Sequence, residues 1–162
     1  MPDDDTLHPN ARRVADAAHD LGLDIEIRGF PEGTKTAADA AAAIGVAVGQ
    51  IVKSLIFAVD GEVVLAYVSG ANQLDEKKLA AAAGGRKAGR VDADIVRQAT
   101  GYPIGGVPPF GHATPLRVFV DEDLLGYDVV WAAAGTWNDV FALTPDDLVR
   151  ASAGTVTDLR RS

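Results

Sequence analysis

Between residues 10 and 21 apolar positions return every three to four residues, with Val14, Ala18 and Leu21 on one side, Pro9 near the start and Gly22 just beyond. That pattern predicts a helix with a clear stop. It then changes period: Leu23, Ile25 and Ile27 alternate with polar neighbours, which predicts a half-buried strand over 23–28. Thr36-Ala37-Ala38-Asp39 resembles a capping box with aspartate in the usual glutamate position, opening an alanine-rich helix that ends near Gly45. Residues 51–59 and 62–68 flank Asp60-Gly61, a strong short-range hairpin signal. The first arm is apolar on both faces apart from Lys53 and Ser54, so it is expected at the centre of a sheet.

A second alanine-rich helix is expected over 74–83, stopped by Gly84-Gly85, and a shorter one over 92–99, with Asp92 as its cap. A glycine- and proline-rich loop follows over 101–112, then strands near 116–120, 128–133 and 140–143. Thr144-Pro145-Asp146-Asp147 supplies a cap, a proline at the first helical position and acidic residues in the first turn, so it opens a last helix. Strands do not alternate one-for-one with helices. The expectation is a mixed α+β (α/β) single domain over 1–162, built on a curled, barrel-like mixed sheet with helices packed outside.

The 162 residues suit one domain that buries roughly two-thirds of its unfolded surface. Cysteine is absent, which excludes disulfides and thiolate metal sites. The histidines His8, His19 and His112 show no paired metal-ligand spacing, so neither metal nor cofactor is expected. No apolar run approaches the ~20 residues of a membrane span and no signal-peptide pattern opens the chain, which points to the cytoplasm. A net charge of −8 argues against broad binding to phosphate backbones, though not against a nucleic acid gripped only at its end. Asp3-Asp4-Asp5 and Asp121-Glu122-Asp123 read as solvated acidic surface, and residues 1–8 as a flexible leader.

Chemistry concentrates on Lys53 and the run Gly105-Gly106-Val107-Pro108-Pro109-Phe110-Gly111-His112. Adjacent glycines and adjacent prolines make a stiff loop with little bulk at its entrance. The N–H groups of Gly105, Gly106 and Gly111 are candidate donors to an oxyanion; Pro108 and Pro109 cannot donate and would shape a wall. Lys53 lies on the strand face of Ile51, Leu55, Phe57 and Val59, so it either snorkels to water at the strand end or faces a polar cavity. In a cavity the ammonium would polarise an ester carbonyl or hold a phosphate. Thr36 is open to two roles, helix cap and substrate contact. Phe110 is either pocket wall or core anchor, and His112 either meets the site or bonds its own loop. Asp139 either positions a water or amino group, or serves a turn. Ser54 beside Lys53 is a weak Ser-Lys pair.

Four ordered segments carry a resemblance: Thr36–Ala41, Gln50–Leu55, Ser69-Gly70-Ala71-Asn72 and Gly101–His112. In this order they resemble the YbaK family, whose relatives include the editing domain inserted in bacterial prolyl-tRNA synthetases. The resemblance implies a compact α/β fold with a curled mixed sheet. It implies hydrolysis of the ester joining a wrong amino acid, typically alanine, cysteine or another small residue, to the 3′ end of tRNA-Pro. The acidic surface fits poorly with tight tRNA binding, so weak affinity or recruitment through an aminoacyl-tRNA synthetase is expected. By position the resemblance makes Lys53 the functional lysine, and assigns substrate contacts to Thr36, Ser54, Asn72, the 105–112 loop and Asp139. Phe30 stands where some relatives carry tyrosine. An aminoacyl ester is intrinsically labile, so orientation and charge stabilisation suffice without a metal or a protein nucleophile. A noncatalytic aminoacyl- or nucleotide-binding module and a general esterase are the alternatives.

Overall fold

The computed structural model describes residues 7–31 and 36–161. Of the expected leader, only Leu7 and His8 are described: Leu7 packs against the main core, and His8 Nδ1 accepts the Asn10 N–H at the start of the first helix. That helix, α1, spans Pro9–Asp20 and buries Ala11, Val14 and Ala18. The alternation over 23–28 yields only the three-residue β1, Ile27–Gly29, which pairs with Phe141, Val140 and Asp139. Helix α2 is Ala37–Ile44, with the Thr36 hydroxyl accepting the Asp39 N–H at 3.0 Å. The hairpin forms as its turn signal predicts: β2, Val52–Val59, pairs antiparallel with β3, Glu62–Ser69. Asp60 and Gly61 both take left-handed backbone angles between them.

Helix α3 (Glu76–Ala82), strand β4 (Ala88–Arg90) and helix α4 (Ala93–Thr100) lead to the glycine-proline loop. After it come β5 (Arg117–Asp121), β6 (Val130–Ala133), β7 (Asp139–Leu143), α5 (Pro145–Ser152) and β8 (Thr155–Thr157). Strands β4 and β8 escape sequence reading because Ala-Gly-Arg and Thr-Val-Thr are too short for alternation to register.

The strands form two sheets rather than one barrel. One is the antiparallel β1-β7-β6; the other is β4-β2-β3-β5-β8, in which β3-β5 and β5-β8 run parallel. The barrel-like expectation is therefore corrected. Among the described residues one parallel bridge, Ile51 to Trp131, links the two sheets, and they also share the main core, where Val52 and Ile56 join the cluster of Val130, Ala132 and Phe141.

Strand parity divides the core. Leu65 and Tyr67 of β3 face the main cluster with Val14, Tyr102, Phe110, Phe141 and Leu148. Val64, Ala66 and Val68 face a second cluster with Phe57, Leu79, Phe119 and Leu159. The double burial explains why β2 and β3 read as near-continuous apolar runs. Among the described residues no helix is long and apolar enough to cross a membrane.

Candidate active site

Lys53 is the second residue of β2, and the backbone before it is locked by the Ser69-Gly70-Ala71-Asn72 segment. The Ser69 hydroxyl donates to Gly49 O at 2.7 Å, and the Gly70 N–H donates to Ile51 O at 2.7 Å. A side chain at Gly70 would sit 2.4 Å from Val48 O, so only glycine permits this approach. The Asn72 N–H turns back to Ser69 O, and its own carbonyl accepts a hydrogen bond from Lys53 Nζ. The amine is half-buried, and that burial lowers its pKa. Among the described residues it has no carboxylate in ion-pair contact.

Lys53, Ser54 and Leu55 border two cavities. The first, of about 350 Å³, is walled by Ala40 of α2, Ile51 and Trp131 at the bridge, and Ala132, Ala133 and Val140 of the small sheet. Thr36, Gly105 and Thr136 bring polar groups to it. The helix-capping Thr36 thus also lines the cavity. The second cavity, of about 450 Å³, runs along the other side of Lys53 past Gln73, Glu76, Arg90, Ile104 and Arg161.

The glycine-proline loop does not act as one piece. Pro103 to Gly106 is a tight turn closed by the Gly106 N–H to Pro103 O, with Gly105 at φ +82°. Such an angle at the third turn position favours glycine. This turn docks on the next one, Gly135–Asn138: the Gly135 N–H donates to Gly106 O and Trp137 Nε1 to Ile104 O at 2.7 Å. Gly105 is exposed at the cavity, whereas Gly106, Val107, Pro108, Pro109 and Phe110 are buried. Val107 and Phe110 join the main core, and the Phe110 ring lies 5.7 Å from that of Phe141. Phe110 is thus a core anchor. Pro108 O accepts from both the Tyr67 hydroxyl and His112 Nε2, each at 2.7 Å. His112 therefore bonds its own loop, and burial lowers its pKa. Pro109, Gly111 and His112 border a separate cavity against α1.

The expected oxyanion donors are corrected accordingly. The Gly106 N–H is used within its turn, and Gly111 packs on Ala17 of α1, so Gly105 alone of the three faces the Lys53 cavity. Asp139 accepts a hydrogen bond from the Thr136 hydroxyl at 2.6 Å and borders another cavity beside Gly29. It shapes the 135–138 turn, and Thr136 reaches the Lys53 cavity in its stead. The Asn72 side chain is also engaged away from that cavity, donating to Asp121 at 3.0 Å and Asp123 at 2.8 Å. Asp121, read from sequence as solvated, is fully buried, because β5 carries it into the sheet. Sequence reading missed Thr136, Trp131, Arg90, Arg161 and Asp121. Of these only Asp121 left a trace, as an acidic residue directly after the apolar run 118–120.

The family model for an aminoacyl-tRNA editing domain matches residues 31–151. The uncharacterized protein YwhH of Bacillus subtilis is 36% identical over 124 residues, 76% of this chain and 78% of that protein. The proline–tRNA ligase of Geobacter sp. strain M21 is 37% identical over 94 residues, 58% of this chain but 16% of the ligase, so the chain spans a small part of that enzyme. A solved structure presented as a "putative trans-editing enzyme for prolyl tRNA synthetase" superposes with a TM-score of 0.92 at 44% identity, covering 97% of this chain and 100% of the other. A half-buried lysine and a left-handed glycine on one cavity thus come together with a match across most of the chain, and the chain belongs to the YbaK-like aminoacyl-tRNA editing domain family.

Proposed function

We propose that the protein is a deacylase that acts in trans, hydrolysing the ester between a small wrong amino acid, alanine or cysteine, and tRNA-Pro. The carrying observation is that the Lys53 amine and Gly105 border the same small, mostly apolar cavity. In this reading the amino-acid side chain enters among Ala40, Ala132 and Val140. The ester carbonyl lies toward Lys53, and the acceptor end of the tRNA continues into the second cavity past Arg90 and Arg161. Water attacks the carbonyl carbon and releases a proton to solvent. The negative charge that develops on the carbonyl oxygen is stabilised by the ammonium and the Gly105 N–H, each supplying on the order of 3 kcal/mol. The ribose oxygen then leaves with a proton from solvent. Orientation within the cavity supplies the rest without a metal or covalent intermediate. Such a pocket discriminates by size, about 10–200-fold per methylene.

Purified protein incubated with Ala-, Cys- and Pro-tRNA-Pro, with and without EDTA, tests the proposal. The expected result is release of alanine or cysteine, insensitive to chelator, with Pro-tRNA-Pro spared. Binding without turnover would establish the noncatalytic module instead, and hydrolysis of simple esters without tRNA a general esterase.

A further inference from the structure

Behind the Lys53 amine stands a polar network centred on Asp121 and Asn72, neither of which lines the two cavities. Asp121 is fully buried at the end of β5. Its Oδ2 accepts the Asn72 side-chain amide, and its Oδ1 accepts the Leu159 N–H at 3.1 Å. Asp123 accepts from the same amide and, at 3.2 Å, from Arg160 Nη1. The 158–161 segment in turn clasps the chain beside Asn72: the Asp75 N–H donates to Leu159 O, and the Arg161 N–H to Gln73 O. The backbone of residue 72 is thereby fixed from three directions: by Ser69 O, by two carboxylates through its side chain, and by the clasp. Its carbonyl meets the Lys53 amine. A carboxylate carried wholly into a sheet is costly unless its hydrogen bonds are made. Here one of those bonds comes from Asn72, whose carbonyl holds the lysine, and the other from Leu159 in the clasp beside it.

We infer that Asp121 is a positioning residue for Lys53, acting through Asn72. The side chain of Asn72 serves as a strap, so its part in the site is to aim a backbone carbonyl rather than to touch substrate. Deleting the strap frees the ammonium to sample geometries that miss the ester oxygen. As an assignment about catalysis it rests on the deacylase reading, but one readout of its test does not.

The test uses the full chain with Asn72→Ala and Asp121→Asn. The first readout is the rate at which an amine-reactive N-hydroxysuccinimide ester labels Lys53, followed by mass spectrometry with exposed Lys87 as internal reference. Release from the Asn72 carbonyl should raise Lys53 labelling about threefold in both variants while Lys87 is unchanged. The second readout is steady-state deacylation of Ala-tRNA-Pro, where kcat should fall about tenfold with KM held. Unchanged Lys53 labelling in a folded variant overturns the inference, as does a KM effect with kcat intact. Should Asp121→Asn fail to fold, Asn72→Ala at its half-buried position decides alone. A wild-type protein that hydrolyses no aminoacyl-tRNA overturns the deacylase reading, and the labelling arm still decides whether Asp121 and Asn72 hold the lysine.

Discussion

Burial at the start of β2 lowers the Lys53 pKa from its ordinary value of 10.5, and no anion among the described residues counters that burial. The same exclusion of water strengthens the attraction between the ammonium and any oxyanion beside it. The sign of the pH dependence follows. The amine is charged below its lowered pKa and loses its proton at a lower pH than a free lysine. Deacylation, corrected for spontaneous ester hydrolysis, should therefore fall as pH rises through that value. Lys53→Arg, which stays charged throughout, should lack this fall whatever its absolute rate. A pH–rate profile of the two proteins checks it, and coincident profiles would remove Lys53 from the chemistry.

At the scale of elements, the site depends on loops tied to strands. The Pro108 carbonyl, gripped by Tyr67 from β3 and by His112, fixes the far half of the glycine-proline loop. The near half, docked on the 135–138 turn, presents Gly105. Tyr67→Phe should lower stability by about 1 kcal/mol, read from denaturant unfolding, because it removes one buried hydrogen bond while keeping the ring. No loss would mean that the loop is held by packing alone. Much at this scale was legible in the sequence. The hairpin, α1, the capped α2 and the capped α5 each announced themselves through turn and cap residues. What stayed hidden was the division of the run 105–112. Glycine and proline content signals a shaped loop but not which residues turn inward, and the deciding partners, Tyr67 and Phe141, lie far off in sequence. Asp121 was misread for the same reason: three acidic residues in a row look solvated until a strand register buries the first.

At the scale of the molecule, the Lys53 cavity lies between the start of β2 in the larger sheet and β6 and β7 of the smaller one, beside the Ile51–Trp131 bridge. Alternation predicts strands but not closure, so the sequence could not distinguish a curled sheet from two sheets in contact. A net charge of −8 sets the terms of tRNA binding. If Arg90 and Arg161 make the phosphate contacts, the slope of log affinity against log salt should be about −1.5. A slope steeper than about −5 would require a basic surface elsewhere. Affinity for free tRNA should accordingly be weak. The most direct measurement is single-turnover hydrolysis of Ala-tRNA-Pro by saturating wild-type and Lys53→Ala protein, with equal thermal stability verified. The rate should drop about 100-fold or more, as for loss of a principal oxyanion-stabilising group. A variant within about threefold of wild type, less than 1 kcal/mol in the barrier, would contradict it.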